Sequence, residues 1–269
     1  MITKNYLGNI ISKFIYKGLK FFGPNLPSHV GLSIIKKDVN YFLHNHDLIL
    51  QTDLLKACNE VYADALSKTD SINYDNFSKR IRHYTIYQLI NSILKKDKGN
   101  SSIAECGCWL GQSSYIIAKA IKNNGFKNMF YIFDSFEGLS SYSIYDKKED
   151  KSDVIEKTRK FFAFDFHLVK NNLKEFDFIN YLKGWIPSRF NELSEKNFCF
   201  VNIDVDLYEP IRDSLEFFFP RLVAGGCIFL DDYGFNQFPG ASKAIDDFIK
   251  LNKPSYFVAI PTGGAYLIK

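Results

Sequence analysis

No run of about 18 apolar residues occurs in this 269-residue chain, so no membrane-crossing helix is expected. Cysteine is scarce and odd in number, five residues with no C-x-x-C pair, which argues against a zinc ribbon or a disulfide framework. Cys199 and Cys227 fall inside apolar runs, where a reduced thiol behaves as a small hydrophobe. A reducing compartment and a cytoplasmic location are expected. Neither sign of charge is in large excess: the net charge is +4, and no basic patch with interleaved aromatics points to nucleic acid. There is no G-x-G-x-x-G and no glycine-rich loop with an adjoining lysine or serine, so a phosphotransferase site is not indicated. Internal repeats and low-complexity tracts are missing too. Histidine is no better represented by ligand company. His44 and His46 form an isolated HNH that reads as a solvated loop, and His167 reads as a surface residue. His83 lies within a helical pattern, from which it could approach a site as a base.

Apolar residues make up 46% of the chain and aromatics 16%, enough for a sizeable core. The first 23 residues are amphipathic, carry Lys4, Lys13, Lys17 and Lys20, and lack a signal peptide's uninterrupted apolar stretch. They read as a helix packed on the body or on a second subunit, with peripheral membrane contact as the alternative. A homo-oligomer is expected. Residues 1–74 are assigned to a helical N-terminal extension, a lid, dimer arm or surface-binding segment, and 75–269 to the main domain.

Helical periodicity is strong over 75–96. From there apolar runs and helical patterns alternate. Strands are expected at 103–107, 128–134, 198–203, 226–230, 256–260 and 265–269. Helices are expected at 112–123, 154–163, 186–193, 208–219 and 240–251, with a helix and a short strand somewhere in 164–184. Residues 140–153 read as a mobile loop. This alternation predicts an α/β fold: a doubly wound, mostly parallel seven-stranded sheet with helices on both faces and a C-terminal antiparallel hairpin. Ligands of such sheets lie beyond the carboxyl ends of the strands.

Three motifs fall at such ends. Glu105-Cys106-Gly107-x-x-x-Gly111 places a glycine turn between a strand and a helix opened by Gln112, Ser113 and Ser114. A carboxylate before that turn repels a pyrophosphate and attracts a sulfonium or amino group, which favours S-adenosylmethionine over a nicotinamide dinucleotide. Asp134, 29 residues after Glu105, closes the second strand, where an acid commonly accepts bonds from ribose hydroxyls. The alternatives are a tight strand–helix turn for the first and an Asx turn for the second. Finally, NIDVDLYE (202–209) and IFLDDY (228–233) bring Asp204, Asp206, Asp231 and Asp232 to neighbouring strand ends. Massed carboxylates repel one another unless a cation sits among them, and hard oxygens suit Mg²⁺. A helix cap remains an alternative reading for Asp206, and a helix cap or a turn for the Asp231–Asp232 pair.

The segments ECGCWLGQSS, DSFEGL, KGWIPSRF, IDVDLYEPIRDSLEFFFPRLVAGG and FLDDYG resemble, in order, the macrocin/mycinamicin-type sugar O-methyltransferases over roughly 75–269. That resemblance implies S-adenosylmethionine, Mg²⁺ and methylation of a sugar hydroxyl. Carried over residue by residue, it gives the methionine and ribose parts of the cofactor to Glu105, Gly107, Asp134 and Ser135, and the adenine side to Lys183, Gly184 and Trp185. It makes Asp204, Asp231 and Asp232 the metal ligands. Asp204, with Asp206 as the alternative, is the expected catalytic proton acceptor. Gly111 and Ser113 belong to the same cofactor turn. Val205 stands where the family usually has glycine, and the tail PTGGAYLIK lacks the family's histidine. The expected acceptor is a glycan or another sugar-bearing small molecule. The competing readings are a methyltransferase of a catechol-like diol and a non-catalytic cofactor-binding partner subunit.

Overall fold

The computed structural model describes residues 52–97, 101–146 and 152–269; the expectations for the amphipathic N-terminus and for His44 and His46 lie outside these. The chain divides into two units, Met1–Ala57 and Cys58–Lys269.

Helix α1 (Asp53–Lys68) is followed by a short 3₁₀ turn and α2 (Phe77–Leu94), whose first turn is capped by Asn76 accepting from the Lys79 N–H. Then come β1 (Ser102–Cys106), α3 (Gln112–Asn123), β2 (Phe130–Asp134), α4 (Ser152–Phe161), α5 (Phe166–Asn172) and β3 (Ile179–Lys183). The chain closes with β4 (Phe198–Ile203), α6 (Tyr208–Arg221), β5 (Leu222–Leu230), α7 (Pro239–Asn252), β6 (Tyr256–Ala259) and β7 (Ala265–Ile268). The seven strands form one sheet in the order β3-β2-β1-β4-β5-β7-β6. β1 to β5 pair in parallel, and β7 runs antiparallel to both β5 and β6. The expected fold class holds, including the terminal hairpin.

The central strands β1 and β4 are buried at every residue, as a parallel sheet covered on both faces requires. Their core partners include Phe198 and Phe218, in edge-to-face contact at 5.0 Å. One sequence expectation fails. Residues 186–193 do not form an α-helix: a cis Ile186–Pro187 bond leads into a turn, and only a 3₁₀ helix follows, over Phe190–Leu193. The proline and Ser188 favour a turn over a continuous helix.

What positions the site is the alignment of strand tips. Beyond the strands, the hydrogen-bond ladder runs on across the five parallel ones: Gly184 N–H to Asp134 O (2.9 Å), Gly107 N–H to Phe133 O (2.8 Å), Asp204 N–H to Cys106 O (2.8 Å) and Asp231 N–H to Ile203 O (3.0 Å). Each parallel strand then departs through a left-handed residue: Gly107 and Trp109 after β1, Phe136 and Gly138 after β2, Gly184 after β3, Asp206 after β4 and Gly234 after β5. Non-glycine residues in that region are strained and concentrate at functional sites. Gly107 has a second reason to be glycine, because a Cβ there would sit 1.8 Å from the backbone oxygen of Asp204.

Candidate active site

The aligned tips of the parallel strands open on a cavity of about 350 Å³. One side of its wall holds Gly107, Asp134, Ser135, Gly184 and Trp185; the other holds Asp204, Asp206, Asp231 and Asp232. Of the residues picked from sequence, these are the ones the fold brings together. Glu105, Gly111 and Ser113 do not line the cavity.

Glu105 lies directly opposite Asn202 in the β1–β4 pairing, and Asn202 Nδ2 donates to its Oε1 at 2.9 Å, while Ser114 Oγ donates to its other oxygen. The side chain is fully buried beneath the glycine turn, and burial pushes its carboxyl up to about 7, although Ser114, Ser113 and Asn202 pull the other way. It supports the turn from inside the sheet. Asp134 organises the turn from the cavity side. Its Oδ2 accepts the Cys108 N–H and its Oδ1 the Phe136 N–H, both at 2.7 Å. Each oxygen keeps a further lone pair for a ligand hydroxyl.

The acid cluster is asymmetric. Carboxylate oxygens of Asp204, Asp206 and Asp232 all lie within 4.8 Å of one another. Burial first, and then the charges of neighbouring aspartates, push all three carboxyls well above the usual range. Asp231 goes the other way. Burial opposes its charge, but the Arg82 guanidinium, with Nε donating to Oδ1 at 2.8 Å, acts with the His83 and Lys79 charges to hold it low. Asp206, for which the sequence leaves a helix-cap reading open, therefore joins the cluster. Its backbone N–H donates to Asp232 Oδ2 at 2.7 Å, and it stands at the centre of a three-residue turn closed by Leu207 N–H to Val205 O at 2.6 Å.

These residues fit a divalent cation. Four aspartates face two cationic side chains of the same wall, Arg82 and Lys79, which leaves a deficit of two positive charges amid hard oxygen donors. They also fit S-adenosylmethionine, since the glycine-turn side offers an acid and open backbone while the far side offers negative charge.

Sequence reasoning missed the contribution of α2. Asn76, Lys79 and Arg82 recur every three residues and line the cavity. Polar side chains recurring at that spacing along the helix's first turns were the available signal. It also missed the aromatic wall: Tyr74, Trp109, Phe161 and Phe162, with the Tyr74 and Trp109 rings edge to face at 4.7 Å. His83, weighed as a base, is buried away from the cavity lining, and burial drives its imidazole down to about 3. Asp146, in the segment read as a mobile loop, is buried. It accepts the Tyr208 N–H at the start of α6 (2.8 Å) and both the N–H and hydroxyl of Ser143.

A sheet in this order, with its cavity at the parallel strands' carboxyl ends, defines a Rossmann-like methyltransferase. Residues 77–260 match the macrocin-O-methyltransferase (TylF) family, and the chain belongs to that family. Among curated relatives it is similar to an 8-demethyl-8-(2,3-dimethoxy-alpha-L-rhamnosyl)-tetracenomycin-C 4'-O-methyltransferase of Streptomyces olivaceus, with 26% identity over 136 residues, 49% of this chain and 52% of the relative. It is also similar to a demethyldecarbamoylnovobiocin O-methyltransferase of Streptomyces niveus, with 21% identity over 170 residues, 61% of this chain and 64% of that relative. The chain thus spans between half and two-thirds of the curated relatives it matches. The crystal structure of CalS11, a calicheamicin methyltransferase, shares the fold, with a TM-score of 0.60 at 17% identity over 81% of this chain and 93% of that one.

Proposed function

We propose that this protein is an S-adenosylmethionine- and Mg²⁺-dependent O-methyltransferase that methylates a sugar hydroxyl of a glycan or glycosylated small molecule. The observation that carries this reading is the cavity itself, with a glycine-turn wall and an acid cluster on adjacent strand tips. The tetracenomycin relative is named for a rhamnosyl-bearing substrate, which supports the acceptor class.

In this reading Asp134 and Ser135 hold the ribose hydroxyls, Gly107 lets the methionine part approach the backbone, and Gly184 and Trp185 border the adenine. Asp204 and Asp232 hold Mg²⁺ with Asp206 or Asp231, and Arg82 orients Asp231. Bound there, the ion lowers the pKa of an acceptor hydroxyl and orients it. Asn76 and Gln237 offer hydrogen bonds across the cavity, and Tyr74 and Phe161 offer ring faces, a combination suited to a polyhydroxylated ring. The test is calorimetric titration with S-adenosylhomocysteine and NAD, with and without Mg²⁺, followed by a methyl-transfer screen over glycosides and catechols. Tight S-adenosylhomocysteine binding and transfer to a glycoside support the reading; preference for NAD, or transfer to catechols alone, refutes it.

A further inference from the structure

One cation in the cavity wall is left without an acid of its own. Lys79 makes no ion pair among the described residues, whereas Arg82, one turn further along α2, is committed to Asp231. The Lys79 ammonium instead faces an aromatic ring, with Nζ 4.7 Å from the Trp109 ring centroid. It lines the cavity alongside Asp204 and Asp231.

The proposed reaction needs a group to take the acceptor's proton. Carboxylates that hold a cation share the lone pairs this task requires, so Asp204 is poorly placed for both roles. We propose that Lys79 is the catalytic proton acceptor, its neutral amine taking the proton of the sugar hydroxyl as the methyl group is transferred. The inference rests on the methyltransferase reading above. The step balances. The acceptor O–H bond breaks and its proton bonds to Nζ; the oxygen lone pair forms the O–CH₃ bond; the C–S bond of the sulfonium methyl donor breaks and leaves its electron pair on sulfur. The ammonium later returns the proton to solvent.

The surroundings suit an amine that changes state. Burial against Trp109 disfavours the charged form and is the largest influence on Lys79, lowering its pKa. The Arg82 charge acts in the same direction, while Asp204, Asp231 and Asp75 favour the ammonium. A divalent cation among the aspartates would offset that attraction and leave the amine free. The Trp109 ring face then stabilises the ammonium once the proton arrives.

The test uses the full chain with S-adenosylhomocysteine and MgCl₂. Lysines are labelled by reductive ¹³C-methylation, the Lys79 signal is assigned by its loss in Lys79→Arg, and each is titrated by NMR. We expect Lys79 to titrate beneath the other lysines, and to fall further when MgCl₂ is added. Titration at the ordinary lysine value of about 10.4, with and without Mg²⁺, overturns the proposal. In a second arm, p-nitrophenyl α-L-rhamnopyranoside serves as acceptor. Lys79→Arg and Lys79→Met are both expected to lose about 10²-fold or more in kcat while binding S-adenosylhomocysteine as the parent does. Activity retained in Lys79→Arg overturns it, because arginine keeps the charge but does not exchange its proton. If the unaltered protein does not methylate the rhamnoside, the sugar-acceptor reading loses support, while the titration still decides the role of Lys79.

Discussion

Arg82 and Asp231 form a buried ion pair at 2.8 Å across 149 residues of sequence, with both side chains less than a tenth exposed. The guanidinium is held from every side. Its NH1 donates to Ser78 Oγ at 2.7 Å, its plane covers the Phe235 ring at 4.7 Å, and its stem lies so close to Gly264 that a Cβ there would come within 2.8 Å of it. Helix α2 is thereby tied to the end of β5 and to the hairpin that follows.

Removing one partner strands the other charge in the interior. Arg82→Met is expected to destabilise the fold by about 3–5 kcal/mol, and adding Asp231→Asn should recover part of that loss. Urea unfolding of the two single variants and the double variant measures the coupling; additive effects would show that the pair is not an energetic unit.

The acid cluster should bind metal independently of the donor pocket. Asp232→Asn is expected to weaken Mn²⁺ binding, followed by electron paramagnetic resonance, by about tenfold or more, with S-adenosylhomocysteine affinity little changed. Equal loss of both would mean that the two walls are not separable.

Burial of Glu105 sets the sign of its effect on stability. Burial pushes its carboxyl up to about 7 from the ordinary 4.5, so between those values the folded state holds more proton than the unfolded one. Stability should therefore fall as pH rises through that window and level off above it. Glu105→Gln should remove up to about 3 kcal/mol of this slope, at about 1.36 kcal/mol per pH unit. Thermal denaturation of both proteins from pH 4.5 to 8 checks it; identical slopes would contradict the buried-carboxyl account.

Two glycines with positive φ separate strain from collision. Gly125→Ala meets no atom within 4 Å and should lose only about 1–2 kcal/mol for its left-handed backbone. Gly107→Ala would drive a methyl into the Asp204 carbonyl and should fail to accumulate as folded protein or fail to bind S-adenosylhomocysteine. Comparable stability of the two variants would mean that the β1 turn can move away from β4.

Asp146→Ala removes the acceptor for the Tyr208 N–H at the start of α6 and releases Ser143. A loss of about 1 kcal/mol is expected, the usual scale for a helix N-cap, together with faster proteolysis within 139–146. Unchanged cleavage kinetics would show that other contacts hold this segment.

Much of this architecture was legible because its strands and helices announce themselves by period. The 112–123 helix agrees to the residue with α3, and the two acid motifs lie at strand ends as expected. Tertiary relationships were less visible. Glu105 reads as a ligand-facing acid, yet strand alternation turns it inward onto Asn202, and only the β1–β4 register reveals that pairing. Arg82 and Lys79 lie more than 120 residues from the acids they accompany, and helical periodicity alone does not say which face meets which strand. Asp146 sits among serines, lysines and acids that resemble a solvated loop, and nothing local marks it as the cap of a distant helix. The 186–193 segment went astray because its apolar spacing suits a helix while its proline and serine suit a turn.

Successive strand tips joined by hydrogen bonds act as a ruler. Adjacent strands stand about 4.8 Å apart, so the Asp134 tip and the Asp204 tip, two steps distant, are held roughly 10 Å from each other by the peptide repeat itself. Segments leaving those tips can lengthen, shorten or change composition without altering that interval. Recognition of new ligands can thus diversify over a fixed distance between the glycine-turn wall and the acid cluster.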